Sequence, residues 1–347
     1  MKVLLISALP PPLGGIAKWT EKYLSYCKEN GVDVSVVNIA LVGSRSKQIN
    51  NKKRISDEIL RTCRILRDLK RDIKTGSFDV VHLNTSCSRF GILRDWLCAV
   101  IVKKKKFPLV LQCHCDVKNQ IQSRFEEFFF KKMVGLSDTV LTLSSRSFEF
   151  VDNIMQGRAV QVSNFVEASM FEAGYTVSEK MKKAVFVGHV NKDKGCGEIL
   201  EAAKQFPDCH FTLVGPVSKE IENMSCPENV ELVGEKTQEE VKSYLCRADV
   251  FVFPSYSEGF SLALAEAMAA GLPCVVTDVG ANKDMLENEG GVTISVGSVK
   301  ELIDALNTIS PYEIRRKMSD WNRKKAEDFY LIDKAIGFLF DTYTRLI

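Results

Sequence analysis

The sequence predicts an α/β protein built from two doubly wound, parallel-sheet domains of the Rossmann-like kind. Three observations carry this. Short apolar runs rich in Val, Leu and Ile recur along the 347 residues, with a helix-length segment between most neighbours. The runs are continuous rather than alternating, the pattern of strands covered by helices on both faces, hence of parallel sheets. And there are twelve, six on either side of a charged segment with no strand pattern, residues 166–183 (VEASMFEAGYTVSEKMKK). Strands alternating with helices are βαβ units, and two sets of six make two domains.

In chain order, the first run covers residues 3–7. Its apolar stretch is too short for the core of a signal peptide and leads straight into Pro10, Pro11 and Pro12, so it reads as a buried strand and no secretory signal is expected. Runs at 34–39, 80–84, 109–114, 139–144 and 160–163 complete the first domain, placed at 1–165. The second, placed at 166–327, has runs at 184–189, 211–215, 230–234, 250–254, 274–277 and 292–296. A last helix is expected from about Glu327 to Ile347, because Phe329, Ile332, Ile336, Leu339, Phe340 and Tyr343 recur at three- and four-residue spacing and form one apolar face. No apolar run approaches the length of a membrane span. The eleven cysteines include no C-x-x-C pair and several sit inside apolar runs, which reads as free thiols in a reduced cytosol rather than a disulfide framework. Cys113, His114 and Cys115 as metal ligands is the weaker reading.

The net charge of +3 hides an asymmetry. Residues 1–165 hold 27 Lys and Arg against 15 Asp and Glu, or +12; residues 166–347 hold 20 against 29, or −9. A basic half joined to an acidic half suggests that the first faces an anionic partner: nucleic acid, a membrane surface or a phosphorylated substrate. The charge concentrates in Lys103, Lys104, Lys105 and Lys106, and in QSRFEEFFFKKMV, where Phe125, Phe128 and Phe129 fall at helical spacing beside Phe130, Lys131 and Lys132. That stripe has two readings: a core-facing aromatic face with solvated lysines, or an interfacial helix on an anionic leaflet. Nucleic acid is disfavoured, since no matching fold motif and no aromatic platform on a sheet is present.

The stretch EGFSLALAEAM follows the run at 250–254 and sets Glu258 and Glu266 eight positions apart. Ser261 reads as the N-cap of a helix that stops at Gly271, with Pro273 just beyond. Glu258 then lies in the turn before the helix and Glu266 inside it. The N–H groups of Gly259, Phe260, Ser261 and Leu262 surround the helix start, an anion site at the carboxyl end of a parallel strand, where open α/β sheets bind ligands. A diphosphate held there would have one glutamate at each end, and a carboxylate can accept the hydroxyls of a ribose or a sugar. The plainer reading is a solvated turn glutamate and a glutamate on an amphipathic helix. The almost wholly apolar surroundings of Glu266 weigh against it, because they predict a carboxylate buried on most sides.

The span from Glu258 to Ala269 resembles the E-x(7)-E signature of the retaining glycosyltransferases of family 4, and the resemblance covers nearly the whole chain. PPPLGGIAKWTEKYL, with Gly14 and Gly15, is similar to that family's opening glycine-rich loop; LQCHCD to the strand ending in its active-site histidine; VSNFVEASMF, with Asn164 and Phe171, to its hinge; VFVGHVNKDKG to the loop carrying its diphosphate-binding basic pair; and ADVFVFPSYSEGF completes the series. The resemblance implies the GT-B architecture, two Rossmann-like domains facing a cleft, with the terminal helix (from about 328) returning to the first domain. It implies His114, Lys194 and Glu258 as catalytic residues. Donor binding would fall to Gly15, Gly188, His189, Lys194, Glu235, Lys236, Gly259, Phe260, Ser261, Leu262 and Glu266. Lys194 would offset charge on the leaving diphosphate, and the backbone near Glu235 and Lys236 would meet the base. Three positions depart from the family: His189 stands for the usual arginine and lacks its bidentate grip, Phe165 for a usual glycine, and Ser261 for a common glycine, where its hydroxyl would reach the diphosphate.

The expected partners are a UDP- or GDP-sugar donor and a saccharide acceptor, with a polyprenyl-diphosphate-linked one fitting the basic-aromatic stretch. The chain contains no D-x-D, the pair with which a metal-dependent transferase holds a cation on the diphosphate, so no metal and no cofactor is expected. No carboxylate stands out as a covalent nucleophile; retention would proceed by same-face displacement, with Glu258 and His114 stabilising the charge-separated transition state. The expected function is hexosyl transfer in cell-surface polysaccharide synthesis, by a cytoplasmic enzyme that can sit on the inner face of the plasma membrane. Two rivals stand beside it: an inactive scaffold subunit of the same fold, and a sugar-nucleotide 2-epimerase.

Overall fold

The structure is a computed structural model that describes residues 1–11, 14–40, 55–172 and 174–347. Pro12 and Leu13 of the opening glycine-rich loop lie outside the described residues. Among the described residues the strands form two six-stranded sheets, parallel throughout. The first contains β1 (Lys2–Ser7), β2 (Asp33–Asn38), β3 (Val80–Thr85), β4 (Leu109–Cys113), β5 (Thr139–Thr142) and β6 (Ala159–Gln161), in the order β2-β1-β3-β4-β5-β6. The second contains β7 (Lys183–Val187), β8 (His210–Val214), β9 (Val230–Gly234), β10 (Val250–Phe253), β11 (Cys274–Thr277) and β12 (Gly291–Ile294), in the order β12-β11-β10-β7-β8-β9. All twelve expected runs are strands, each displaced by two residues or fewer.

The continuous apolar pattern has the cause the sequence suggested. Every residue of β3, β4, β5, β10 and β11 is buried, because helices cover both faces of each sheet. Each Val, Leu or Ile so buried contributes about 1.5–3 kcal/mol relative to exposure, which fixes the strands and leaves their carboxyl-terminal loops to vary. In the second sheet the order reverses between β7 and β10, and in the first between β1 and β3. Such switch points open a crevice beyond the carboxyl ends of the strands.

The chain divides into two compact units, one formed by Met1–Val162 with Ile336–Ile347 and the other by Ser163–Ala335. The return to the first unit therefore begins at residue 336 rather than near 328. The expected single last helix is two helices, Tyr312–Phe329 and Ile332–Thr344. The break has a long-range cause. The Val166 N–H donates to the Tyr330 carbonyl at 2.6 Å and the Ile332 N–H donates to the Val166 carbonyl at 3.0 Å, so an extended backbone wedges between the helices. Phe329 is 54% exposed and does not belong to the apolar face, whereas Ile336, Leu339 and Tyr343 are buried.

The helix Arg124–Leu136 starts at a capping box in which Ser123 and Glu126 satisfy each other's backbone N–H. Its aromatic stripe divides. Phe130 is fully buried, and Phe129 is half-buried among Trp96, Phe125 and Phe128, with ring centroids 5.1, 4.7 and 5.2 Å away. Phe125 and Phe128 are exposed. Phe129 thus packs, partly buried, against the core of the first unit. Lys131 pairs with Glu127 at 2.6 Å and Lys132 lies over the Phe128 ring at 5.6 Å. Lys103 is half-buried in an ion pair with Asp138 at 2.8 Å, which separates it from the exposed Lys104, Lys105 and Lys106. All eleven cysteines are free thiols.

Candidate active site

In the second unit, the switch point between β7 and β10 gathers most of the residues expected to bind the donor. The loop after β7 carries Gly188, His189 and a short 3-10 turn, Lys192–Lys194, whose start is capped when the Asn191 side chain accepts from the Lys194 N–H at 2.9 Å. The loop after β10 carries Glu258. Sixty-four positions apart in sequence, the Lys194 ammonium donates to the Glu258 carboxylate at 2.5 Å, with the two side chains 26% and 12% exposed. The Ser255 hydroxyl donates to the same carboxylate oxygen at 2.8 Å, and the Lys194 ammonium also lies 5.7 Å from the centre of the Phe253 ring. Glu258 is therefore held from two sides.

Two glycines make that approach possible. Gly195 has φ +72, and a Cβ there would sit 2.1 Å from the Pro254 carbonyl oxygen; Gly280 has φ +55, and a Cβ there would sit 2.5 Å from the carbonyl oxygens of Glu258 and Gly259. Any side chain would push the Lys194 loop or the residue 278–282 segment away from the Glu258 turn, besides straining the backbone.

The helix Leu262–Ala269 begins at Ser261, which is buried and accepts from the Leu264 N–H at 3.2 Å. That cap uses one lone pair of the Ser261 oxygen and leaves its hydroxyl hydrogen to donate elsewhere. The N–H groups of Leu262 and Ala263, first in the helix, keep the anion-binding character of a helix start. The helix ends at Ala269 and Gly271 follows in the left-handed region, φ +74, as the glycine signal predicted. Arg323 donates to the Ala269 carbonyl, a cation at the negative end of the helix.

Glu266 is half-buried, not buried on most sides: the face it occupies is met by the helix Gln238–Arg247, and the Gln238 amide donates to it at 2.9 Å. Gln238 follows Glu235 and Lys236, so the loop after β9 meets the helix after β10 here. Glu235 is exposed, and Lys236 is half-buried and 3.9 Å from Glu240. His189 is exposed. Sequence reasoning alone does not single out Ser255 and Gln238. An S-x-x-E spacing from Ser255 to Glu258 was available as a signal; nothing local points to Gln238.

The first unit holds His114 just after β4. Its Nε2 lies 3.0 Å from the Asn84 side-chain oxygen, and the Trp19 ring meets it edge-on at 5.2 Å. Burial pushes its imidazole pKa down to about 3, which favours the neutral ring at neutral pH. Gly14 and Gly15 begin the helix Gly15–Glu29, and a Cβ at either would meet no heavy atom within 4 Å. In the hinge segment Phe165 and Asn164 are buried, and Phe171 lies 5.1 Å from the Arg323 guanidinium. Among the described residues no group of three or more His, Cys, Asp or Glu side chains could hold a metal ion, and no helix is long and apolar enough to cross a membrane.

Comparison with known proteins converges on one kind of molecule. Residues 171–326 match the family model described as glycosyl transferases group 1. An uncharacterised glycosyltransferase of Methanocaldococcus jannaschii is 24% identical over 100% of this chain and 99% of its own. The UDP-Gal:alpha-D-GlcNAc-diphosphoundecaprenol alpha-1,3-galactosyltransferase of Escherichia coli is 29% identical over 46% of this chain and 45% of its own. Among solved structures, sucrose-phosphate synthase of Thermosynechococcus elongatus superposes with a TM-score of 0.79 at 17% identity, covering 99% of this chain and 98% of the other. At that identity the last likeness speaks for the fold alone.

Proposed function

We propose that this chain, a glycosyltransferase with a group 1 glycosyl transferase domain at residues 171–326, moves a hexosyl group from a UDP- or GDP-sugar to a saccharide acceptor in polysaccharide or glycolipid synthesis, with retention and without a metal ion. The observation that carries the reading is the Lys194–Glu258 pair beyond the carboxyl ends of β7 and β10, with Glu266 and Gln238 one helix away.

The donor diphosphate lies at the start of the helix Leu262–Ala269, against the N–H groups near Gly259 and Phe260. Lys194, already presented by its capped turn, moves its charge to the diphosphate and favours departure of the leaving group. Glu266 accepts the ribose hydroxyls, and Glu235 and Lys236 flank the base. Glu258, steadied by Ser255, accepts hydroxyls of the sugar and offsets positive charge growing at the anomeric carbon. The acceptor oxygen bonds to that carbon on the face from which the carbon–phosphate oxygen bond breaks, and the acceptor proton passes to the departing phosphate oxygen. His114 belongs to the same chemistry as a neutral hydrogen-bonding group, and Gly15 leaves room for a ligand beside its backbone.

A lipid-linked acceptor at the inner face of the plasma membrane is the finer form of the proposal. The Escherichia coli relative, named for a diphosphoundecaprenol-linked acceptor, supports it. So do the exposed Phe125 and Phe128 beside Lys131 and Lys132, and the +12 charge of residues 1–165. A nucleotide-binding scaffold without turnover is the second reading, favoured by the exposed His189 where the family uses arginine.

Titration calorimetry and turnover assays across UDP- and GDP-sugars test the proposal. Glu266→Ala weakens nucleotide binding by about 1.5–3 kcal/mol for each charged hydrogen bond lost. Glu258→Gln lowers turnover far more than affinity. Wild-type activity survives EDTA. Unchanged nucleotide affinity in Glu266→Ala refutes the ribose assignment, and binding without turnover over a broad acceptor panel replaces the enzyme with the scaffold.

A further inference from the structure

His114 is the end of a buried hydrogen-bond chain whose direction can be derived. Its Nε2 meets the Asn84 Oδ1 at 3.0 Å, and the Asn84 Nδ2 meets the Ser7 hydroxyl at 2.9 Å. Ser7 meets the Thr20 hydroxyl at 2.6 Å, and the Thr20 hydroxyl donates to the Ile16 backbone carbonyl at 2.8 Å. Ser7, Thr20 and Asn84 are each 0% exposed, so no water competes for these groups.

The anchor is the Ile16 carbonyl, which can only accept. Thr20 has one hydroxyl hydrogen and gives it there, the common back-bond of a helical threonine. Facing Ser7, Thr20 is then an acceptor, so Ser7 must donate to it. The single hydrogen of Ser7 is thereby used, and towards Asn84 it can only accept. Asn84 turns its amide nitrogen to Ser7 and its carbonyl oxygen to His114. A carbonyl oxygen accepts, so Nε2 of His114 carries the hydrogen. A neutral imidazole has one N–H, which leaves Nδ1 as a lone pair. Among the described residues Nδ1 has no hydrogen-bond partner, and His114 is half-buried rather than fully buried.

We propose that Asn84 is a positioning residue that locks His114 as its Nε2–H tautomer, with polarity set by Thr20, so that Nδ1 is a dedicated acceptor for a sugar hydroxyl. The proposal rests on the reading of His114 as an active-site group. It gives the start of the helix Gly15–Glu29 a second role. The first-turn carbonyl of Ile16, at the far end of the chain of hydrogen bonds, decides which imidazole nitrogen faces substrate. A histidine free to exchange tautomers would face that hydroxyl as a donor part of the time, and the hydroxyl's own hydrogen would then lose its fixed acceptor.

The experiment uses the whole chain with ¹⁵N-labelled histidine. Long-range ¹H–¹⁵N spectra at neutral pH report the His114 tautomer directly, assigned by its loss in His114→Gln. The wild type shows Nε2–H. Thr20→Val, nearly the same shape and without contact to His114, removes the acceptor for Ser7; Ser7 is freed to donate to Asn84, the amide can turn, and His114 gains Nδ1–H character. Thr20→Ser restores the anchor and the wild-type tautomer. Turnover follows the tautomer, falling about tenfold in Thr20→Val, the equivalent of one well-made hydrogen bond, with KM for nucleotide sugar less affected. Single-deoxy donors and acceptors locate the hydroxyl: the analogue lacking it is the one whose turnover Thr20→Val lowers least. An Nδ1–H wild type, or a Thr20→Val spectrum identical to the wild type, overturns the proposal. A tautomer that shifts as described while turnover stays constant overturns the acceptor role of Nδ1 and the placing of His114 in the active site, and leaves the derived polarity standing.

Discussion

His82 sits one residue pair away from the relay on β3 and is wholly buried. Its Nδ1 bonds the Tyr343 hydroxyl and Trp19 meets its ring edge-on at 5.7 Å. Burial, and then the neighbouring His114, push its pKa down to about 3 from an ordinary 6.5. The sign of the consequence is definite. Between those two values the unfolded chain binds a proton that the folded chain refuses, so His82 adds stability above pH 6.5 that drains away as pH falls toward 3, by at most about 1.4 kcal/mol per pH unit. Urea unfolding between pH 7 and 4 should give a shallower decline for His82→Asn than for the wild type, although the variant starts lower at pH 7 from lost packing. Parallel declines would mean that the imidazole is already charged in the folded protein. The same burial argument is why Lys194 and Glu258 need each other: a half-buried charge held by an opposite charge and a hydroxyl is tolerated where a lone one is not.

At the scale of elements, the helix Arg124–Leu136 serves two surroundings at once. Its Phe129 and Phe130 belong to the protein side and its Phe125 and Phe128 to the solvent side. Phe129→Ser should therefore cost about 2 kcal/mol and lower the melting temperature by roughly 4–8 °C. Phe128→Ser should leave melting nearly unchanged, as exposed positions do, within about 0.5 kcal/mol, yet weaken sedimentation with anionic liposomes. Glutamine at Lys104, Lys105 and Lys106 should do the same, and salt should weaken binding in the wild type. Wild-type protein that ignores anionic liposomes at low salt removes the membrane from the proposal. Lys103 is kept out of the set because its ion pair with Asp138 makes it part of the fold.

For the whole molecule, the donor site as proposed belongs to loops of the Ser163–Ala335 unit. Adding UDP or GDP should slow amide hydrogen exchange at residues 188–195, 234–238 and 256–262. Protection absent from all three segments would move the nucleotide elsewhere. The architecture was legible because parallel strands buried on both faces leave unmistakable apolar runs, and Ser261, Gly271 and Pro273 punctuate one helix locally. What stayed hidden depended on partners distant in sequence. The wedge of Val166 at Leu331 split a helix whose apolar spacing ran on unbroken. Gln238 reached Glu266 and gave it a polar side that an apolar neighbourhood did not announce. Lys194 and Glu258 lie 64 positions apart, and no spacing rule joins them. The relay from Thr20 through Ser7 and Asn84 to His114 joins residues from three strand regions and a helix, each ordinary by itself.

The return of residues 336–347 to the first unit also sets an order of manufacture. A ribosome that has just finished Val162 has made six strands whose core still lacks Ile336, Leu339 and Tyr343, and whose His82 has no phenol to bond. The missing piece is translated only after the entire second unit, roughly 9–35 seconds later at about 5–20 residues per second. Through that interval the nascent first unit waits with an apolar slot open, while the second can close as soon as it emerges. The unit that is first in the gene is thus the last to be completed, and its exposure to chaperones and proteases is written into where the chain turns back.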